Sequence, residues 1–83
     1  MTFLSVAIEV LGWAGALVLL AAYTALSAGR LRQGSAAYQW MNFAGALGLM
    51  VNAGVHGSWP PVAVNVAWMA IAAAALARKP VSQ

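Results

Sequence analysis

The chain has 83 residues, 64% hydrophobic and only 6% charged, with a net charge of +3 and a mean hydropathy of +0.83. A soluble domain of this size carries about a quarter charged residues, so an ordinary water-facing surface is excluded. What remains is an all-α unit, a three-helix transmembrane bundle in a single domain.

Three apolar runs occupy residues 3–28, 36–57 and 61–77. Each approaches or exceeds the roughly 17–25 residues that cross a hydrocarbon core about 30 Å thick. A backbone in lipid must satisfy its own hydrogen bonds, so each run is expected to be a spanning helix, over about 3–27, 36–57 and 61–77. The basic residues stand at segment ends: Arg30 and Arg32 in the first loop, Arg78 and Lys79 after the third run. In a three-span chain those two places share one side. The positive-inside rule makes that side the cytoplasm and puts the N-terminus outside, in a multi-pass membrane protein. Charges placed this way are no nucleic-acid surface. There is no cysteine, so disulfides and thiolate metal sites are excluded. The first run also lacks the basic start of a cleavable signal peptide and exceeds its apolar length, so it is read as a retained helix.

Helix 1 holds the only acid, Glu9. Ala16, Tyr23, Ser27 and Trp13 fall within about 40° of it on a helical wheel, giving one polar, small-residue stripe. Gly12 and Ala16 form a small-xxx-small pair beside Gly15, which permits close helix contact. The first loop carries glycines for a helix stop, and Ser35 is placed to cap helix 2. In helix 2, Tyr38, Asn42, Gly45, Leu49, Asn52 and His56 lie within about 40° of one line. Ala44 and Gly48 are its small-xxx-small pair, and Trp40 is an interface anchor. Gly57, Ser58, Trp59 and Pro60 read as a tight external turn, with Pro60 and Pro61 at the start of helix 3. Helix 3 carries Asn65, Trp68 and Met69 and stops at Arg78 and Lys79; residues 81–83 read as a frayed tail. Ala-Gly-Ala-Leu at 14–17 recurs at 44–47, which is read as a shared packing solution.

Depth brings the polar residues together. At 1.5 Å per residue, Glu9 is expected roughly 9 Å below the outer helix ends, Asn52 roughly 8 Å and Asn65 roughly 6 Å. His56 stands just above that level and Trp13 and Trp68 just below it. An ionisable group at such depth marks a functional site by default, and the sharp reading is an outward-opening polar pocket with Glu9 protonated or paired to His56. The bland reading has the asparagines as interhelical connections worth about 1 kcal/mol each, with Glu9 snorkelling to the headgroups. Tyr23, Ser27, Tyr38 and Asn42 form a second polar level at the cytoplasmic end, read as a hydrogen-bonded latch. One carboxylate, one histidine and no cysteine or aspartate cannot make an acid–base pair, a metal site or a nucleophilic triad within one chain. No enzyme, cofactor or nucleic-acid partner is expected.

Leu11-Gly12-Trp13-Ala14-Gly15, Ala22-Tyr23, Gly29-Arg30-Leu31, Tyr38-Gln39-x-x-Asn42-x-x-Gly45-Ala46, Asn52, Pro60 and Asn65-x-x-Trp68 together resemble a family of small, uncharacterised three-helix bacterial inner-membrane proteins. More distantly, the architecture is similar to the SemiSWEET and PQ-loop transporters, three-helix units that work as parallel homodimers around a central solute path. That resemblance implies substrate contacts at Asn65 and Trp68; the Pro-Gln hinge of those transporters is absent, with Ala22-Tyr23-Thr24 in its place. Two functional readings follow. The first is a homo-oligomeric (dimeric) transporter half for a small polar solute, with Asn52, Asn65, Trp68 and Trp13 as binding groups and Glu9, His56, Tyr23 and Asn42 as coupling or gating groups. The second is a structural or accessory membrane subunit without transport activity of its own.

Overall fold

A computed structural model, which describes residues 2–78, contains three helices: α1 (Phe3–Ser27), α2 (Ala36–Val55) and α3 (Trp59–Ala77). No strand occurs among the described residues. The expectations for Lys79 and for the tail at 81–83 fall outside them.

Local chemistry sets the boundaries. Thr2 caps α1 by accepting from the Ser5 amide at 3.0 Å. Ser35 caps α2 as its position in the sequence implied, accepting from the Tyr38 amide at 3.2 Å while its hydroxyl donates to the Arg32 carbonyl at 2.8 Å. These bonds satisfy orphan groups at the helix starts. At the far end, α2 stops at Val55 rather than at 57. His56 caps it and Gly57 adopts φ +70°, the left-handed conformation that turns a chain off a helix. Helix α3 begins two residues earlier than expected, because Trp59 and Pro60 belong to its first turn, where a missing N–H costs nothing. The turn between α2 and α3 is therefore only residues 56–58.

Helix α2 is the centre of the molecule. Helices α1 and α3 both pack on it, and their backbones do not approach each other. The α1–α2 crossing is built from glycine. A methyl group placed on Gly15 would lie 2.5 Å from the Gly45 carbonyl oxygen, and one on Gly48 would lie 2.8 Å from the Leu11 carbonyl oxygen. The backbones therefore touch, as small residues allow between helices in lipid. This corrects the expected pairs Gly12/Ala16 and Ala44/Gly48: the contact runs through Gly12, Gly15, Gly45 and Gly48, while Ala44 is exposed and Ala16 only half-buried. The repeated Ala-Gly-Ala-Leu explains the register, since its two glycines, Gly15 and Gly45, meet each other at the crossing. The α2–α3 side is packed by alanine, with Ala46, Ala53 and Ala72 buried.

The interior thus consists mostly of small residues, with Ile8, Gln39 and Asn42 as the larger buried ones, and most large apolar side chains point outward; Phe3, Trp59, Leu20 and Ile71 are each more than half exposed. In water that arrangement would be inside out. Two of the three helices are long and apolar enough to cross a membrane: α1 with a mean hydropathy of 2.1 and α3 with 1.6. Only 11% and 6% of those segments are buried within the protein, unlike the core helix of a soluble fold. Helix α2, interrupted by Tyr38, Gln39, Asn42 and Asn52, is not among them. The expectation of three spanning helices is thus met on length and apolarity by two.

Candidate functional site

Packing α1 and α3 against two sides of α2 leaves a strip of α2 uncovered between them. Tyr38, Leu49 and His56 share that strip by helical periodicity, while Asn42, on the same line, is buried against α3. At the end bearing the α2–α3 turn, Glu9 of α1, Asn52 and His56 of α2 and Asn65 of α3 line one open recess of about 400 Å³. A second hollow shares Glu9 and Asn52 and continues along α1 past Gly12, Trp13 and Ala16. Near the opposite end, Tyr38, Gln39, Asn42 and Trp68 line a third. The structure therefore brings Glu9, Asn52, His56, Asn65 and Trp13 to one place and puts Trp68 elsewhere.

The hydrogen bonds assign each polar group a direction. Asn52 donates from Nδ2 to the Ile8 carbonyl at 2.9 Å, a bond from α2 to α1. It fits because position 12 is glycine: a methyl group there would sit 2.6 Å from that nitrogen. Asn65 donates from Nδ2 to the Pro61 carbonyl, within its own helix, at 2.9 Å. His56 Nδ1 lies 2.7 Å from the Asn52 carbonyl oxygen. A carbonyl only accepts, so Nδ1 carries the proton and Nε2 is the acceptor of the neutral ring. Glu9 is not joined to His56; its Oε1 accepts from the Trp13 indole N–H, one turn on, at 3.2 Å.

The second polar level differs from the expected latch. Tyr23 is 65% exposed and Ser27 is exposed too, so neither reaches Tyr38 or Asn42. Asn42 donates to the Tyr38 carbonyl at 2.9 Å, and its Oδ1 accepts from the Trp68 indole at 3.2 Å. The latch therefore ties α2 to α3, not α1 to α2. Periodicity misleads here because Tyr23 shares a wheel line with Glu9, yet Glu9 lines the recess while Tyr23 is exposed and outside it. Gln39 is a polar group that helical periodicity did not single out. It is buried and donates to the Gln33 carbonyl at 2.7 Å, holding the first loop over the start of α2. A glutamine one turn before Asn42, four residues after a capping serine, was the available signal.

The α2–α3 latch has a measurable size. Asn42→Leu and Trp68→Phe should each destabilise the bundle, and together show a coupling of about 0.6 kcal/mol, the usual value for a side-chain hydrogen bond in a membrane bundle. A double-mutant cycle on unfolding in detergent checks this; a coupling of zero would mean that the bond contributes nothing.

A protein-family model matches the chain over residues 8–82, a span that includes Glu9, both crossings and every polar contact between helices. No curated protein and no solved structure matches it.

Proposed function

The chain belongs to that family, which is of uncharacterised type, and from this premise we propose that it is a three-span membrane protein working as the homodimeric half of a transporter for a small polar solute. The observation that carries the reading is the recess between α1 and α3, where Glu9, Asn52, His56 and Asn65 stand together with no third wall. Polar groups facing hydrocarbon cost several kcal/mol each unless they are solvated or covered. Three helices in a row cannot enclose such a groove. A second copy laid against it in parallel encloses a polar path and leaves the apolar outer faces of both copies to lipid, the architecture expected from a SemiSWEET-like unit. The outward-facing large side chains of α1 and α3 support the membrane setting. Arg30, Arg32, Arg78 and Lys79 support a cytoplasmic C-terminus in a bacterial inner membrane. In this reading Glu9, His56, Asn65 and the oxygen of Asn52 face the path, Trp13 forms its wall, and the amide nitrogen of Asn52 and the side chain of Asn42 hold the helices.

The lack of native cysteine makes the test direct. Ala16→Cys and Ile71→Cys place a thiol on the two rims of the groove, at a half-buried and an exposed position. Leu47→Cys places one on the opposite face of α2, where Leu47 is exposed. In bilayers, oxidation should crosslink the two rim variants into dimers and leave Leu47→Cys monomeric. Crosslinking at Leu47 alone would sink the reading. A monomer throughout would favour the accessory-subunit alternative, for which the interhelical bonds of Asn52 and Asn42 are sufficient.

A further inference from the structure

The chemistry of the recess narrows the solute, on the premise that the proposed transport reading holds. Each asparagine at the recess commits its amide nitrogen to a main-chain carbonyl: Asn52 to Ile8 and Asn65 to Pro61. Those carbonyls only accept, so the amide orientations are fixed and the oxygens are the atoms left over. Among the described residues, neither Oδ1 has a protein partner, and no buried side-chain oxygen or nitrogen is left without one. Both oxygens are therefore accessible, on residues that line the recess. His56 commits Nδ1–H to the Asn52 carbonyl and leaves the Nε2 lone pair. Glu9 has one oxygen on Trp13 and the other unclaimed. The four polar residues that line this hollow thus leave two amide oxygens, a carboxylate oxygen and an imidazole nitrogen as acceptors.

The walls agree with the atoms. Trp13 is held beside the carboxylate by its own N–H, and it lines the hollow that shares Glu9 and Asn52. An indole ring next to a carboxylate is a favourable setting for a desolvated cation. No Lys or Arg lies within the recess or the adjoining hollow, so neither an anion nor a carboxylate solute finds a counter-charge there.

We infer that this recess recognises a small organic cation bearing N–H donors, of the guanidinium class, through the acceptor set Glu9, Asn52, Asn65 and His56 with Trp13 as the ring wall. A sugar would have to place hydroxyls that both donate and accept against groups that mainly accept. An N–H cation presents donors in every direction and neutralises Glu9 on arrival.

The experiment is uptake by the wild-type chain in phosphatidylcholine–phosphatidylglycerol vesicles, with radiolabelled guanidinium, tetramethylammonium, glucose and acetate as probes. Guanidinium should enter at least about tenfold faster than the other three, the discrimination expected of a site whose hydrogen-bonding groups are left unpaired by the wrong solute. Glu9→Gln should bring guanidinium uptake to background with the thermal melt unchanged, and Glu9→Asp, which keeps the charge, should retain a measurable part of it. Uptake of glucose or acetate above guanidinium overturns the inference and leaves the transport reading standing. Equal uptake of tetramethylammonium, which has no N–H, or full activity in Glu9→Gln overturns it as well. No uptake of any probe overturns both.

Discussion

Gly15→Leu should detach α1 from α2 and cost about 3 kcal/mol, the upper end of the usual range for overpacking. The reason is what the new side chain would meet. Its first carbon would lie 2.5 Å from the Gly45 carbonyl oxygen and 3.1 Å from the Leu49 amide nitrogen. Those are main-chain atoms of a regular helix and cannot rotate aside as a side chain does. Gly45 offers a contrast, because its nearest neighbour is a side-chain atom, Leu19 Cγ at 2.7 Å, though Gly15 O follows at 2.9 Å. Gly45→Ala should therefore cost less than Gly15→Ala. Gly54→Ala is the control: the added methyl meets only Val62 Cγ2, at 3.9 Å, an ordinary contact. Thermal unfolding in detergent, followed by circular dichroism, should order the variants as Gly54→Ala, Gly45→Ala, Gly15→Ala, Gly15→Leu from least to most destabilised. If Gly15→Leu melts with wild type, the helices do not cross where the structure puts them.

That crossing also shows what a sequence of this kind makes legible. Three helices, the Ser35 cap and the glycine-permitted contact followed from run lengths, capping chemistry and small-residue spacing. The co-location of Glu9, Asn52, His56 and Asn65 followed from counting 1.5 Å per residue along antiparallel neighbours. Which small residues would touch was not legible. Small pairs three and four residues apart are both present on α1 and α2, and the choice between them depends on the crossing angle, which no single helix specifies. At the other end Trp68 meets Asn42 across the separate α2–α3 interface and Tyr23 is left outside, although Tyr23 and Glu9 share a helical line. Nor could periodicity tell which atom of an amide faces the groove, because that depends on the carbonyl taken by its nitrogen. The level at which these four side chains meet was readable; their donor and acceptor pattern needed the packed structure.

Ala46→Leu should act on the other side of α2. Ala46 is fully buried, at 0% exposure, on the side that receives α3. Adding three carbons there forces α3 outward and should cost about 1–3 kcal/mol. It should also remove the Asn42–Trp68 bond, which spans the same interface. The sharper expectation concerns a pair of variants. Since α1 and α3 do not approach each other, the two crossings have α2 as their only shared element. Gly15→Leu loosens one side of α2, and Ala72→Leu, on α3 where Ala72 is buried, loosens the other without touching the Gly15–Gly45 contact, so in the monomer their costs should add to within about 0.3–0.5 kcal/mol, as for sites with no shared contact. Dimerisation across the groove would change that arithmetic. Both flanking helices then touch the same partner, so displacing either one weakens a shared interface, and the costs should become non-additive under conditions where the rim cysteines crosslink. Unfolding of the single and double variants, measured once in dissociating detergent and once in bilayers, separates the cases. Additivity in both media would mean that the groove is never covered by a second copy, whereas additivity in detergent that disappears in bilayers would tie the stability of each helix to the assembly.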